Sequence, residues 1–377
     1  MIGGSLPATV EASILAAAWD QTAGLRITSP VAAALEDASI RWLLDVLGLS
    51  AGTGVGFVTC ATTANQSGLA AARHALLARQ GWDVGANGLF GAPPLRVVVG
   101  DEVHVSVLKA LTLLGLGSGR IERVPVDGQG RMRAEALPRL DERTIVCLQA
   151  GNVNTGAFDP AAAIVERARA AGAWVHVDGA FGLWARAAPS LAPLAAGLEG
   201  ADSWATDAHK WLNVPYDSGL VFCRDATLLR AALRPPTAAY LVEGEVREPD
   251  QYVPEFSRRA RGIEVWAALL SLGREGLREL LERTCAHARR FAASLREDGH
   301  EVLNDVVLNQ VLVSFGPPER TRRVIEEVQR GGVLWCGGTL WQGTTAMRIS
   351  VSSWATTAAD VERSLAGIRA AVARAGY

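Results

Sequence analysis

The chain is 377 residues long, which suits a large α/β domain with a smaller companion, because single hydrophobic cores stop growing near about 250 to 300 residues. Hydrophobic residues make up 49% of the chain and charged residues 20%, so it can bury a sizeable core and does not have the composition of a disordered protein. The 37 Lys and Arg residues against 39 Asp and Glu residues give a net charge of −2. This balance offers no basic surface to a nucleic acid or an anionic membrane, and we predict neither as a partner.

The five cysteines are scattered and form no CxxC pair, which is typical of reduced, buried thiols in a cytoplasmic protein: Cys60, Cys147, Cys223, Cys285 and Cys336. The first residues, MIGGSLPATVEAS, lack a basic start followed by a long apolar stretch. No run of about 18 apolar residues occurs in the chain. We therefore predict neither secretion nor membrane insertion.

Residues 1–50 are predicted to form an N-terminal helical arm. The segments SILAAAWD and PVAAALEDASIRWLLDVLGLS place apolar residues at helical spacing. Pro30 near the start of the second segment and Gly48 near its end are typical helix boundaries.

Residues 51–235 are predicted to form a large α/β domain. Apolar runs alternate here with Ala-rich helical stretches, and the runs are GVGFVTC, LRVVVG, RTIVCLQA, AWVHVD and GLVFCR. Strands that are apolar throughout are covered on both faces, so a mostly parallel sheet wrapped by helices is expected. The motif GTGVG at 52–56 precedes its strand, so it is not a dinucleotide-binding fingerprint.

The remaining chain divides into a loop and a second domain. Residues 236–262 are polar, contain proline and have no periodicity, which predicts a mobile loop. Residues 263–377 begin with a long helical pattern and continue into the strand-like runs VLNQVLVSF and AMRISVS. This order predicts a smaller α+β domain at the C-terminus.

Two reactive side chains follow strand-like runs. Asp178 comes directly after AWVHV, and Lys210 follows SWATD within ADSWATDAHKWLNVPYDSG. Open α/β sheets bind ligands at the carboxyl ends of their strands. A buried carboxylate there needs a cationic partner, such as a protonated pyridine nitrogen, and a lysine among apolar neighbours is suited to Schiff-base chemistry. Taken singly, a surface lysine and a capping aspartate are the more common readings, but the combination points to pyridoxal 5'-phosphate (PLP).

A third segment, TCATTANQSG at 59–68, opens a helix directly after a strand-like run. The free N–H groups of a helix N-terminus bind anions, so we expect a phosphate there. An ordinary threonine cap is the alternative.

On these residues the chain resembles the group II PLP-dependent amino acid decarboxylases, the family of the aromatic L-amino acid, tyrosine, histidine and glutamate decarboxylases. The most specific stretches are ADSWATDAHKWLNVPYDSG, EFSRRARGIEVWAAL and MRISVSSWATT. The resemblance implies PLP fold type I, the aspartate aminotransferase-like fold, with a seven-stranded, mostly parallel sheet. It also implies decarboxylation of an L-amino acid to an amine and CO2, in a homodimer whose active sites lie at the subunit interface.

The resemblance also implies roles for individual residues. Lys210 would bind PLP as a Schiff base, Asp178 would pair with the pyridine nitrogen, and His104 would stack on the ring. The other cofactor contacts that it implies are Ala180 on the ring, Ala61 and Thr62 at the phosphate, Asp207 and His209 near the phosphate or the lysine, and Asn152 at the 3'-oxygen.

Two further roles concern the substrate. A loop tyrosine of the family protonates the carbon that loses CO2, and the candidates are Tyr252 in REPDQYVPEFSRR and Tyr240 in AAYLVEGE. Arg348, in MRISV, matches an arginine of the family's C-terminal domain and is a candidate for binding the substrate carboxylate. An ion pair between the domains is the alternative for Arg348.

The sequence leaves other reactions open. Another PLP reaction, such as transamination or aldehyde-forming oxidative deamination, would suit the same fold, and so would a homologue that binds PLP without turnover. The chain begins partway through the family's usual N-terminal segment, which we expect to affect substrate binding more than cofactor binding. A metal held by His176, Asp178 and His209 would leave Lys210 without a role, so we predict no metal site.

Overall fold

A computed structural model describes residues 3–234 and 246–376. Tyr240 lies outside the described residues. The helices of eight residues or more and one short helix are α1 (Pro7–Trp19), α2 (Pro30–Val46), α3 (Ala61–Arg79), α4 (Val84–Asn87), α5 (Val105–Leu113), α6 (Ala161–Ala170), α7 (Ala226–Leu233), α8 (Gly262–Glu297), α9 (Pro318–Gly331) and α10 (Ala358–Ala375). The strands are β1 (Gly54–Val58), β2 (Arg96–Gly100), β3 (Glu122–Val124), β4 (Thr144–Gln149), β5 (Trp174–Asp178), β6 (Ser203–Asp207), β7 (Gly219–Cys223), β8 (Glu301–Val302), β9 (Gln310–Ser314), β10 (Gly337–Trp341) and β11 (Thr344–Ser350).

The large domain is built on a seven-stranded sheet in the order β1-β7-β6-β5-β4-β2-β3. Strand β7 runs antiparallel to both of its neighbours, and the other neighbouring pairs are parallel. Strands β1, β4, β5, β6 and β7 are buried along their whole length, because helices cover both faces of the sheet. The predicted fold class is therefore confirmed.

Alternation along β5 determines which of its side chains face α3. Trp174 packs in the apolar cluster on the α3 side of the sheet, whereas Val175 and Val177 pack in the cluster on the opposite side. Because successive strand residues point to opposite faces, His176 and Asp178 lie on the α3 side with Trp174.

The N-terminal helices and the small domain are joined by α8. Helices α1 and α2 both pack against α8, which is interrupted at Gly273, where φ is +60°. The small domain is an antiparallel sheet in the order β10-β11-β9-β8, with its core shared among α8, α9 and α10. This arrangement places β9 and β11 beside the large domain.

Residues 246–262 are packed, although the sequence predicts them as the second part of a mobile loop. Arg258 pairs with Glu36 of α2 at 2.8 Å, and both side chains are 1% exposed. Arg247 pairs with the other oxygen of Glu36 at 3.1 Å. A carboxylate shared by two arginines ties this segment to α2 and β1, because separating any of these charges would leave one buried and unpaired.

Within the described ranges, no helix combines the length and the hydropathy needed to cross a bilayer. All five cysteines are free thiols, and all but Cys60 are buried.

Candidate active site

Three neighbouring parallel strands end at one cavity. Gln149, Asp178 and Asp207 are the last residues of β4, β5 and β6, and all three line a space of about 440 Å³. The carboxyl ends of parallel strands leave an open edge, because the chain turns away from each strand there into the helix that follows it. The small domain closes the other side with Gln310, Thr339, Arg348 and Ser350.

Lys210 lies just beyond the end of β6, at the cavity wall. Its Nζ atom is 2.8 Å from Oδ2 of Asp207 and 5.4 Å from the centre of the Phe181 ring. The side chain is 20% exposed, so the amine is held by one carboxylate and an aromatic face and still reaches the cavity. A primary amine placed in this way can attack a carbonyl carbon that enters the cavity.

Asp178 is a buried carboxylate at the cavity, with a side chain surrounded by neutral donors. Its Oδ2 atom accepts hydrogen bonds from Asn65 Nδ2 and Ser106 Oγ, both at 3.1 Å, and its Oδ1 atom accepts one from the Ala180 amide. Among the described residues, no Lys, Arg or His forms an ion pair with Asp178. A carboxylate that is only 5% exposed and lacks a cation suits a ligand with a positively charged ring nitrogen.

The N-terminus of α3 forms the anion-binding side of the cavity. Ala61 and Thr62 line the cavity, and the side chain of the cap residue Cys60 accepts no hydrogen bond from the amides of the first turn. The Ala61 amide donates to Oδ1 of Asp207 at 2.6 Å. The next two amides, those of Thr62 and Thr63, have no partner within the helix, so they can donate to a bound phosphate.

Histidine 104 caps α5 and lines the cavity. Its Nδ1 atom accepts a hydrogen bond from the Ser106 amide at 3.2 Å and lies 2.8 Å from Ser106 Oγ. Burial lowers the pKa of His104 below its ordinary value, so the ring is neutral at pH 7. A neutral ring that lines the cavity suits a stacking contact with a flat cofactor.

His209 lies behind Asp207 and is not a lining residue. Its Nε2 atom is 3.6 Å from Oδ1 of Asp207, and its Nδ1 atom accepts from the Ser218 amide at 3.1 Å. Its ring stacks on Tyr216 with 4.2 Å between the ring centres. The structure thus places His209 beside Asp207, whose Oδ1 atom also accepts from the Ala61 amide.

Asn154, and not the predicted Asn152, reaches the cavity. Asn152 does not line the cavity, because its Oδ1 atom accepts from the amides of Asn154 and Thr155 in a tight turn. Asn154 lines the cavity instead, and its Oδ1 atom accepts from Thr339 Oγ1 at 3.2 Å. The turn reverses the chain between these residues, which the linear pattern does not show.

Arg348 enters the cavity from β11. Its Nη1 atom donates to the Val153 carbonyl at 3.4 Å, and burial lowers the pKa of the guanidinium. The alternative of an interdomain ion pair finds no support, since Arg348 has no carboxylate within 4.0 Å among the described residues. A half-buried arginine with no acidic partner suits a carboxylate ligand.

The structure does not bring Tyr252 to the cavity. Its side chain is 8% exposed and packs in the core beneath Arg247, whose guanidinium lies 4.7 Å from the ring centre. A proton donor has to be within hydrogen-bond reach of the reacting atom, and Tyr252 is not a lining residue. The polar loop pattern did not reveal that a 3-10 helix, Pro249–Tyr252, buries this ring.

Sequence reasoning missed the residues that hold Asp178. Asn65 and Ser106 both donate to its carboxylate, from α3 and α5 respectively. In the sequence, the signal for Asn65 was an amide side chain within the Ala-rich pattern of α3. Among the described residues, no cluster of three or more His, Cys, Asp or Glu side chains could hold a metal ion.

Lys210, Asp178 and the open N-terminus of α3 surround one cavity of a fold type I protein. PLP needs an amine at its aldehyde, a buried carboxylate at its ring nitrogen and free amides at its phosphate. These three groups meet at this cavity. The fold and the site therefore assign this protein to the class of PLP-dependent enzymes.

Comparison with known proteins specifies the family. Residues 3–316 match the model of the pyridoxal-dependent decarboxylase conserved domain. The chain is 28% identical to tryptophan decarboxylase 1 of Oryza sativa, with 92% of this chain and 74% of the relative aligned. It is 26% identical to the aromatic-L-amino-acid decarboxylase of Bacillus atrophaeus, over 96% of this chain and 78% of the relative. It is 27% identical to the acidic amino acid decarboxylase GADL1 of Mus musculus, over 81% of this chain but only 56% of the relative.

A solved structure agrees on the fold. The crystal structure of Oryza sativa TDC with PLP and tryptamine superimposes with a TM-score of 0.89 and 24% identity, covering 99% of this chain and 82% of that one. The chain belongs to the pyridoxal-dependent decarboxylase family, whose members are PLP-dependent carboxy-lyases. This confirms the family predicted from the sequence, with PLP as its cofactor.

Proposed function

We propose that this protein converts an L-amino acid into the corresponding amine and CO2, with PLP bound covalently through Lys210. The observation that carries the proposal is the placement of the Lys210 amine and the unpaired Asp178 carboxylate at one cavity. When bound, PLP supplies a carbonyl that links to amino groups and a conjugated ring that accepts the electron pair left by loss of CO2.

The residues around the cavity have separate tasks in this proposal. Asp178 would hold a proton on the ring nitrogen, because an opposite charge at contact favours the protonated form of a base. The first turn of α3, with Ala61 and Thr62, would bind the phosphate, and His104 would cover one face of the ring. Ala180, at the end of the hydrogen bond to Asp178, would pack on the ring from the other side.

The substrate carboxylate would bind on the small-domain side. Arg348 is the cation of that wall, and Gln310, Thr339 and Ser350 surround it with amide and hydroxyl groups. The proposal includes a proton delivered to the α-carbon, since the carbon that loses CO2 must gain one hydrogen to become an amine.

We further propose that the active form is a homodimer. Helix α5 begins beside the cavity at His104, and its outer face exposes Lys109 between two apolar side chains, Val105 and Leu113, which are 69% and 58% exposed. Val105 also lines the cavity, so a second copy covering α5 would help to enclose the substrate. Exposed apolar side chains on a helix that borders a functional cavity are typical of an interaction surface.

The lysine content of the chain gives a direct test. The chain contains two lysines, Lys210 and the exposed Lys109 on the same cavity-bordering helix as Leu113. The purified protein should be yellow, and borohydride reduction followed by peptide mapping should place the cofactor on Lys210. Lys210→Ala should lose the label, whereas Lys109→Ala, the matched control, should keep it. A label on Lys109 in the wild type would overturn the proposal.

The reaction is tested by product analysis. The holoprotein is offered each of the twenty amino acids, and CO2, amine, aldehyde and oxygen uptake are measured. Equal amounts of CO2 and amine without oxygen uptake would support decarboxylation. Aldehyde formed with oxygen uptake would show oxidative deamination, and transfer of the amino group to an added α-keto acid without CO2 would show transamination. No product from any substrate would indicate a PLP-binding homologue without turnover.

A further inference from the structure

A row of buried polar side chains runs behind Asp178, away from the cavity. Trp174 Nε1 lies 3.0 Å from Ser203 Oγ, which lies 2.8 Å from His176 Nδ1. His176 Nε2 lies 2.9 Å from Asn65 Oδ1, and Asn65 Nδ2 lies 3.1 Å from Asp178 Oδ2. We call these four residues, Trp174, Ser203, His176 and Asn65, the relay. It connects β5, β6 and α3 in one continuous path to the carboxylate.

The carboxylate at the end of the relay determines the direction of its hydrogen bonds. A carboxylate oxygen accepts, so Asn65 presents its NH2 group to Asp178 and its oxygen to His176. A neutral His176 then carries its proton on Nε2 and donates it to the Asn65 oxygen, which leaves Nδ1 to accept the proton of the Ser203 hydroxyl. Ser203 Oγ in turn accepts from Trp174 Nε1, because an indole nitrogen can only donate.

Burial and close packing hold this arrangement in place. His176, Ser203 and Asn65 are 0% exposed, so no water competes for their hydrogen bonds. Gly68 of α3 lies against the imidazole, and a Cβ atom there would be 2.8 Å from His176 Cε1. The helix can approach the strand this closely because residue 68 has no side chain.

The orientation of Asn65 matters because its amide is asymmetric. Turned over, it would place its oxygen against the Asp178 carboxylate, which would repel it and raise the cost of the buried charge. We propose that His176 is a positioning residue for Asp178, which acts through Asn65 to keep a hydrogen-bond donor on the carboxylate that faces the cofactor. This inference rests on the proposed role of Asp178.

The relay predicts how substitutions change cofactor affinity. His176→Leu removes the donor to Asn65, and we expect the Kd for PLP to rise by about tenfold, the effect typical of an outer residue that orients a ligand-binding group. His176→Gln keeps an N–H for Asn65 and an oxygen for Ser203, so its Kd should stay near the wild-type value. The Kd is measured by equilibrium dialysis of the holoprotein, and folding is followed by thermal unfolding.

Serine variants separate the relay from packing. Ser203→Ala removes the hydroxyl that donates to His176 Nδ1, and its Kd should rise. Ser39→Ala is the matched control, since Ser39 is equally buried but donates to the Leu35 carbonyl within α2. Both variants lose one buried hydroxyl, and only Ser203→Ala should change PLP binding. If both serine variants, or neither, change the Kd, the relay is not a positioning device.

A double-mutant cycle distinguishes the inference from its foundation. In an Asp178→Asn background, His176→Leu should leave the Kd unchanged, because the carboxylate on which it acts is gone. If Asp178→Asn alone leaves the Kd unchanged, the proposed role of Asp178 fails. If Asp178→Asn raises the Kd but His176→Leu and Ser203→Ala do not, the role of Asp178 stands and the inference about His176 is overturned.

Discussion

At the scale of single residues, Asp178 is a carboxyl group at 5% exposure with only neutral donors around it. Asp178→Asn keeps the shape and removes the charge that would hold a proton on the cofactor ring. We expect the rate of CO2 release to fall by roughly 100-fold or more, as when other buried charge-stabilising groups are removed. Asp202→Asn is the control, because Asp202 lies before β6 at the opposite edge of the sheet and bonds to the Val175 amide. A near-normal rate in Asp178→Asn would contradict the assignment.

A second prediction at this scale concerns the pH dependence of stability, through His176. Burial lowers its pKa from 6.5 to about 4, so the folded protein binds this proton less readily than the unfolded chain. Neutral His176 therefore contributes stability that is complete above about pH 6.5 and is lost as the pH falls toward about 4. The shift corresponds to about 3 kcal/mol in the free energy of unfolding.

Urea unfolding of the wild type and of His176→Gln measures this contribution. The glutamine does not titrate, so the stability of the wild type relative to the variant should decrease as the pH is lowered from about 7 to about 4.5. A constant difference between the two proteins across this range would show that His176 does not titrate on unfolding. Other histidines and carboxyls are shared by both proteins and cancel in the comparison.

At the scale of elements, the segment 246–262 depends on a buried carboxylate of another helix. Glu36 of α2 pairs with Arg258 and Arg247 and is 1% exposed. Glu36→Gln leaves two arginine charges without their counterion, and we expect a loss of about 3 kcal/mol in the free energy of unfolding. Asp45→Asn breaks the exposed pair with Arg274 and should cost less than about 1 kcal/mol. Equal losses in the two variants would contradict the anchoring role.

The placement of this segment also changes the expectation for the proton donor. Tyr252 lies in the core and not at the cavity, so Tyr252→Phe should leave the ratio of amine to aldehyde unchanged. Tyr240→Phe is the comparison, and we expect it to shift the product toward aldehyde, ammonia and peroxide, because an unprotonated carbon is open to attack by O2. A shift in Tyr252→Phe alone would mean that this ring reaches the cavity during turnover. Both variants are assayed with the substrate that releases most CO2.

At the scale of the whole molecule, the cavity lies between two domains and borders an exposed apolar face. Leu113 is 58% exposed on α5. Leu113→Glu places a charge on this face, so we expect a shift from dimer to monomer in sedimentation and a rise in KM for the substrate. Glu326→Ala, on the exposed surface of α9, is the control and should leave the dimer intact. If the Leu113→Glu protein stays dimeric with an unchanged KM, the interface lies elsewhere.

The amino-acid pattern alone predicted the parts that depend on local chain preferences. Fully apolar runs indicated buried strands, and Asp178 ends β5 while Lys210 lies just beyond the end of β6, at the edge where the cavity lies. Such positions can be predicted because strand length and burial are determined by neighbouring residues, and the carboxyl ends of parallel strands meet at one edge. The family resemblance was carried by the same short stretches.

Only the tertiary structure decided which distant side chains meet. Asn65 reaches Asp178 across 113 positions of sequence because α3 crosses β5 closely at Gly68. Asn154 replaces Asn152 at the cavity because of a turn, and Tyr252 is buried because Glu36 anchors its segment. These outcomes depend on the angles and distances at which helices cross the sheet, and periodicity carries no information about either. The sequence by itself determined the sheet, its reactive edge and the lysine, while helix packing decided which groups hold the carboxylate.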